Sequence, residues 1–179
     1  QFQRDSLGSG GTGPSQAHNF VMMTLIGFDD PGLLVLPYHR LLGGLSPDKY
    51  SEVRQALSGI FDSTPILNGK PVDAEAVAQE VADRGLDRHA IGMVGPAGEA
   101  PVLLTLRQGV DWRNWGPLAV SEAWILEERV LKPVLGDITL SHLGYIHDHH
   151  EAVESVISGG RQLAFLLKPF RIAQFETVV

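Results

Sequence analysis

Tyr38, His39 and Arg40 are adjacent residues whose types suit them to chemistry. They follow a short apolar segment, and catalytic or ligand-binding groups often collect at strand ends, where the scaffold is rigid and the loop is open. A histidine titrates near neutral pH, and an arginine can bind a carboxylate or phosphate through two parallel hydrogen bonds. We predict that His39 and Arg40 are catalytic and that Tyr38, Asp29 and Asp30 contribute to substrate binding.

A structural role is the alternative for the same residues. Arg40 would then pair with Asp29 or Asp30 across a turn, and His39 would pack at the edge of a sheet. Arg40 in an open pocket beside His39 would favour the site, whereas a guanidinium buried against Asp29 or Asp30 would favour the scaffold.

A second polar group is HDHHE at residues 147–151. Histidines two apart share one face of a strand and those three apart share one face of a helix, so two of them could hold a metal with a ligand from elsewhere. The spacing matches no HExxH-type motif, and Asp148 is well placed to cap a helix. We expect a solvated helix start here and assign no metal ligand.

Two further patterns have simple structural explanations. Residues 111–115, DWRNW, place two indoles around an arginine and could stack a planar ligand, but burial of the indoles against a helix is expected. Glu127 and Glu128 could supply paired carboxylates, although an ion pair between Glu128 and Lys132 one turn later accounts for them. No GxSxG nucleophile elbow is present.

Residues 1–18 are rich in Gly and Ser and have little to bury, which is typical of a flexible loop or linker. They contain GxGxxG at 8–13, without the strand and helix that a dinucleotide site requires. We predict one domain over residues 19–179.

Two hairpin-like units and several capped helices follow. Apolar runs at 19–28 and 33–36 flank the turn DDPG and predict a first hairpin of central strands; runs at 90–94 and 102–106 flank GPAGEAP and predict a second. Helices are predicted from Ser46-Pro47 to Phe61, from about Asp73 to Asp83, and from Val120 to Leu135.

The last part of the chain alternates between strand and helix patterns. We predict a strand at 143–147, a helix at 148–157, a strand at 162–167 and a helix that begins near Arg171. Strand, helix and strand in this order suggest a right-handed βαβ crossover. The predicted fold is α+β, with a mixed sheet packed against about five helices.

Composition excludes several classes of protein. The chain has 14 Lys+Arg against 21 Asp+Glu and a formal charge of −7, which disfavours binding to nucleic acid. It has no Cys, which excludes disulfides, thiolate metal sites and a cysteine nucleophile. No apolar run reaches the roughly 18 residues of a membrane span. We expect a cytoplasmic protein that binds a small molecule and neither nucleic acid nor membrane, with self-association left open.

Residues 18–42, HNFVMMTLIGFDDPGLLVLPYHRLL, precede the helix that begins at Ser46-Pro47. This combination resembles the signature of an uncharacterised prokaryotic family, the domain-of-unknown-function family ten-fifteen. The resemblance extends to 118–136 and to GYIHDHHEAVESVISGGRQLAFLLKPF. The positions that it carries over are Asp29, Asp30, Pro31, Gly32, Pro37, His39 and Arg40. Tyr38 stands where many relatives have Thr.

The resemblance implies a fragment, because family members are about twice as long and continue on both sides. Their upstream motif resembles that of ParB-like proteins, which include kinases of free serine. We therefore expect the C-terminal part of an enzyme that acts on a small polar or phosphorylated metabolite, inactive without the N-terminal half on which it packs. Phosphoryl transfer would bring a nucleotide and Mg²⁺ to the intact protein, with Asp29 and Asp30 either orienting Arg40 or holding the Mg²⁺. The alternative is a non-catalytic structural or ligand-binding module.

Overall fold

The computed structural model describes residues 20–27, 30–33, 35–67, 71–86 and 88–169. The chain divides into two compact units, Gln1–Leu34 and Val35–Val179. The predicted linker at residues 1–18, the boundary after it, Asp29, and the helix predicted from Arg171 all lie outside the described residues.

The second unit contains a sheet of six strands in the order β2-β4-β3-β6-β1-β5. Every pair of neighbouring strands is antiparallel. The strands are β1 (His39–Leu42), β2 (Phe61–Pro65), β3 (Ala90–Val94), β4 (Val102–Leu106), β5 (Leu143–Ile146) and β6 (Leu163–Leu166). The α+β fold class is confirmed, whereas the prediction of a mixed sheet is wrong.

The reason for this difference is the position of β1. Both β5 and β6 pair with it, on opposite sides, so the two strands run in the same direction without touching each other. The predicted strand, helix and strand at the end of the chain are present, but β1 separates the two strands. A crossover pattern in sequence does not reveal a strand inserted from a distant part of the chain.

Three helices begin at the caps that the sequence predicts. Ser46 caps α1 (Pro47–Ile60), Asp73 caps α2 (Ala74–Arg84) and Asp148 caps α4 (His149–Ile157). Each cap side chain accepts a hydrogen bond from a backbone N–H of the first turn, which satisfies a donor that has no partner within the helix.

Helix α3 spans residues 122–135 and changes its winding along its length. It begins as an α-helix at Glu122–Ile125, widens to a π-helix at Leu126–Leu131, and returns to an α-helix at Lys132–Leu135. The wide part ends two residues before Pro133, which cannot donate to the preceding turn. Gly136 then ends the helix with a φ of 59°, a conformation that favours glycine.

Apolar side chains cover both faces of the sheet. We call one side the α1/α3 face, because α1 and α3 pack on it, and the other the α2/α4 face. The largest fully buried side chains on the α1/α3 face are Phe165, Leu42, Ile91, Ile125, Leu126, Leu131 and Leu163. Successive residues of a strand point to opposite faces, so β1 contributes Leu42 to one core and Leu41 to the other.

The first predicted hairpin is wrong in its strands and right in its turn. Leu33 donates its N–H to the carbonyl of Asp30 at 3.0 Å, which closes the turn. Residues 20–27 form no strand and are exposed, and β1 begins only at His39. The second predicted strand is absent as well, since residues 33, 35 and 36 form no strand.

The second hairpin is confirmed, and one strand was missed. β3 pairs with β4 in the register Ala90 to Thr105. β2, with the sequence FDSTP, lies at the edge of the sheet with four of its five residues exposed. Among the residues that the structure describes, no helix has the length and apolar character needed to cross a membrane.

Candidate functional site

Most of the polar side chains that could form a site lie at one end of the strands. Because neighbouring strands are antiparallel, the start of β1, the start of β3 and the end of β6 lie side by side at this end of the sheet. Arg40 lies at the first of these positions, His89 directly before the second, and Lys168 two residues after the third. Glu122, in the first turn of α3, lies at the same end of the sheet, where it contacts Lys168.

His39 and Arg40 point to opposite faces of the sheet. Directly paired residues of neighbouring strands point to the same face. Arg40 pairs with Phe165 of β6, which belongs to the α1/α3 core, whereas His39 pairs with Ile146 of β5, which packs against the α2/α4 core. The alternation of side chains along a strand imposes this separation on any two adjacent residues. The structure therefore does not bring the two predicted catalytic side chains together.

His39 is enclosed within the fold. It is 2% exposed, and its Nδ1 accepts a hydrogen bond from the backbone N–H of Leu167 at 3.0 Å. Its ring lies edge-on to that of His149, with 6.3 Å between centroids. Burial, reinforced by His149, lowers the pKa of His39 to about 4, so the ring is neutral at physiological pH.

Arg40 is held by a carboxylate and two aromatic rings. Its Nε donates to Oε1 of Glu127 at 2.6 Å, and an Nη1 hydrogen is donated to the carbonyl of Tyr38. The guanidinium carbon lies 4.8 Å from the ring centroid of Tyr145 and 5.5 Å from that of Tyr38. A guanidinium has five N–H donors, so these two bonds leave three for another acceptor.

The other predicted substrate-binding residues are placed as follows. Tyr38 is 45% exposed and stacks on His147, with 4.3 Å between the ring centroids. Asp30 accepts the N–H of Gly32 through Oδ1 at 2.7 Å, which stabilises the turn of the first unit. Asp29 lies outside the described residues. The carboxylate that pairs with Arg40 is Glu127.

A cavity of about 120 Å³ lies next to Arg40. Tyr38, Arg40, Glu122 and Lys168 are among the residues that line it. Cavities for drug-sized ligands and cofactors are roughly 300–1,000 Å³, so this one has room for a small metabolite and not for a nucleotide.

Glu122 is a buried carboxylate between two basic groups. Its Oε1 accepts from Nζ of Lys168 at 2.8 Å and from Nδ1 of His89 at 3.2 Å. Burial alone would raise the pKa of Glu122, but the hydrogen bonds from His89 and Lys168 and the charge of Lys168 outweigh it and lower the pKa. Glu122 is therefore ionised at neutral pH, which makes its carboxylate the acceptor of both hydrogen bonds.

Lys168 is fully occupied by its protein partners. Besides Glu122, its ammonium donates to the carbonyl oxygens of Gly85 at 2.5 Å and Arg88 at 3.1 Å. An ammonium has three donors, so none remains for a ligand. The charged groups that the cavity can offer to a ligand are thus the remaining donors of Arg40 and the carboxylate of Glu122.

Sequence reasoning missed His89, Glu122 and Lys168. Glu122 lies 33 positions after His89, and Lys168 lies 46 positions after Glu122, so no sequence motif links the three. The available signal was a charged residue at a helix start and a lysine just after an apolar strand. Many solvated residues share these features.

The weaker candidates have the structural roles that their alternatives predict. Lys132 binds Glu128 at 3.1 Å on the surface of α3. Trp115 packs against the α1/α3 core and under the guanidinium of Arg129. Asp148 caps α4, as expected. In addition, His149 and His150 lie close to Glu75 of α2, a carboxylate from a distant part of the chain that could also bind a metal.

Comparison with known proteins gives a family. A family model described as a protein of unknown function, DUF1015, matches residues 3–134, well over half of the chain. The chain belongs to this family. No curated protein matches, and no solved structure matches.

The DUF1015 match covers part of the site. Tyr38, Arg40 and Glu122 lie within the matched residues, whereas Lys168 and the histidines at 147–150 lie beyond residue 134. The predicted resemblance is confirmed over the matched part, and the family description names no reaction.

Proposed function

We propose that the cavity beside Arg40 binds a small metabolite that carries both a carboxylate and an ammonium group, such as a free amino acid. The proposal rests on one observation, which is that a guanidinium with free donors and a buried ionised carboxylate line the same small cavity. The carboxylate of the ligand would bind the remaining donors of Arg40, and its ammonium would bind Oε2 of Glu122, since His89 and Lys168 both bind Oε1.

The pocket walls support this assignment. Two aromatic rings and Glu127 fix the Arg40 guanidinium, so little entropy is lost when it binds a ligand. His89 and Lys168 hold Glu122 in its charged form without occupying both of its oxygens. An analogue that lacks either charged group would forgo one of these two charge-assisted hydrogen bonds, which disfavours it.

We further propose a cytoplasmic enzyme that transfers a phosphoryl group to this metabolite. The support is the resemblance of the family's upstream motif, which this sequence does not contain, to that of ParB-like proteins, together with the amino-acid-sized cavity. The cavity does not have room for a nucleotide as well, so the donor and its Mg²⁺ would bind at another surface. His39, which is buried and neutral and points to the opposite face from Arg40, would act only as a positioning residue for β1.

A non-catalytic module is the second candidate. The ion pair between Arg40 and Glu127 favours it, because a guanidinium with a carboxylate partner needs no ligand to be satisfied. In that case Arg40 stabilises the fold and binds nothing.

Three matched ligands distinguish the two candidates. Calorimetric titration of the chain would compare L-serine with glycerate, which lacks the ammonium, and ethanolamine, which lacks the carboxylate. We expect serine to bind at least about ten-fold more tightly than either, since a hydrogen bond to a charged group contributes about 1.5–3 kcal/mol. Equal affinity for all three, or no binding of serine or of any other free amino acid, contradicts the proposal.

Two variants locate the binding to the cavity. Arg40→Gln removes the guanidinium and should weaken binding at least ten-fold by the same estimate. Arg107→Gln is the control, because Arg107 forms a similar ion pair with Asp62 at 2.9 Å on the exposed surface. The phosphoryl-transfer part is tested separately, by incubating the chain and the full-length product of its gene with amino acids, Mg²⁺ and ATP or ADP and measuring the phosphorylated product.

A further inference from the structure

Glu75, His149 and His150 converge on the α2/α4 face, away from the cavity described above. Glu75 lies in the first turn of α2, and the two histidines are the first residues of α4. One ligand atom from each of the three lies within 4.8 Å of the others. Two different helices thus bring together two imidazoles and a carboxylate.

The distances suit a small divalent cation. Nε2 of His149 lies 2.9 Å from Oε2 of Glu75, and Nε2 of His150 lies 3.9 Å from the same oxygen. Zinc binds nitrogen and oxygen ligands at about 2.0–2.2 Å, which places tetrahedral ligand atoms roughly 3.3 Å apart. The observed separations lie on either side of that value, so small side-chain rotations would complete the geometry.

We propose that Glu75, His149 and His150 bind a divalent transition metal ion, with Zn²⁺ as the fitting example. Imidazole nitrogen suits zinc and its neighbours in the first transition series, whereas Mg²⁺ and Ca²⁺ take oxygen ligands. Two histidines and one glutamate match the ligand set of zinc sites that keep a fourth position open.

The fourth position would face an open groove. A groove of about 790 Å³ runs between the start of α2 and the exposed side of α4, and His150 and Asp73 are among its lining residues. The side chains of His150 and Glu75 are 64% and 66% exposed, so water or a small anionic ligand could reach the metal. The positive end of the α4 dipole acts against a cation at this place, and the Asp148 carboxylate that caps α4 opposes that effect.

His39 does not belong to this ligand set. Its Nδ1 is occupied by the backbone N–H of Leu167, and its ring supports that of His149 from within the core. The simpler explanation of the cluster is a hydrogen bond between Glu75 and His149 that joins α2 to α4. That explanation predicts a contribution to stability and no metal affinity.

Titration of the metal-free chain with Zn²⁺, after removal of any histidine tag, tests the proposal. We expect saturable binding of one Zn²⁺ per chain and much weaker binding of Mg²⁺. With Co²⁺ in place of Zn²⁺, we expect the intense visible absorption of a four-coordinate ion rather than the weak absorption of an octahedral one.

Matched variants show which residues bind the metal. Glu75→Gln and His150→Gln should each weaken Zn²⁺ binding at least about ten-fold, since even the loss of an outer-shell partner costs about 10–100-fold. Glu154→Gln is the control, because it removes one carboxylate from the same groove and the same helix. His150 and Glu75 are largely exposed, so these variants should fold, which circular dichroism would verify.

The proposal is overturned if Zn²⁺ does not saturate at one per chain, if Mg²⁺ competes equally, or if Glu75→Gln and Glu154→Gln behave alike. These results would leave the amino-acid cavity unaffected, because the two sites share no residue.

Discussion

His39 places a titratable ring in the interior of the α2/α4 face. In the unfolded chain it has an ordinary pKa of 6.5, and in the folded protein burial lowers its pKa to about 4. Above pH 6.5 the ring is neutral in both states. Between pH 6.5 and 4 the unfolded chain binds a proton that the folded protein does not, so stability falls as the pH falls.

This difference predicts a specific pH dependence of stability. Between pH 7 and pH 5 the free energy of unfolding should fall by about 2 kcal/mol on account of His39 alone. His39→Asn keeps an acceptor for the N–H of Leu167 and removes the titration, so its decrease over the same range should be smaller by that amount. Urea titrations at both pH values, with a chelator present, measure the difference. Equal decreases in both proteins would show that His39 titrates normally.

The sequence predicted Arg40 as part of a candidate site, but it gave Arg40 the wrong companion. Adjacency in a strand separates His39 from Arg40, whereas antiparallel pairing brings in groups from distant positions, Lys168 and Glu122 among them. Such partners follow from strand order and register, which local patterns do not encode. The candidate site could be located by its strand end and not by its full set of residues.

Among the structural elements, α2 packs unusually close to β3. A Cβ added at Gly92 would lie 2.8 Å from methyl groups of both Val77 and Val81. Glycine at this strand position therefore allows the helix to approach the sheet. A side chain would have to push α2 outward or shift β3 within a sheet that is paired on both sides.

We predict opposite effects for two glycine substitutions. Gly92→Ala should destabilise the protein by about 1–3 kcal/mol, because it overpacks the core between α2 and β3. Gly59→Ala, near the end of α1 where an added Cβ meets nothing, should be neutral or stabilise by up to about 1 kcal/mol. Chemical unfolding of the two variants and the wild type measures both, and similar effects at the two positions would contradict the close packing.

Elements with local signals were predictable, and those defined by their neighbours were not. The helices beginning after Ser46, Asp73 and Asp148 carry side-chain caps that act within one turn. β2 lacks an alternating apolar pattern, because an edge strand with exposed residues has little need of one. The apolar run at 19–28 is the opposite case. Its apolar character predicted a buried strand, yet residues 20–27 are exposed and form no strand.

In the whole molecule, a single sheet joins two apolar cores. The three Trp residues, Trp112, Trp115 and Trp124, lie on or beside the α1/α3 side, near His89, Arg129 and the core there. Gly92 faces the α2/α4 core, since it touches Val77 and Val81. Because β1, β3, β4 and β6 each contribute to both cores, loss of one core should disrupt the other.

Cooperative unfolding is therefore predicted for the second unit. Tryptophan fluorescence reports on the α1/α3 side alone, while far-ultraviolet circular dichroism reports on all helices and strands. The two urea transitions should coincide in the wild type, and Gly92→Ala should shift both midpoints equally. A fluorescence midpoint that stays fixed while the dichroism midpoint moves would mean that the cores unfold separately.

The insertion of β1 between β5 and β6 has a consequence for synthesis on the ribosome. His39 faces Ile146, and Leu42 faces Leu163, so both neighbours of this strand are made more than a hundred residues later. The nascent β1 must remain without its partners until nearly all of the described chain has emerged. Pairing over such long sequence separations is slow, so the apolar residues of β1 stay unpaired during synthesis. We therefore expect the nascent chain to bind chaperones.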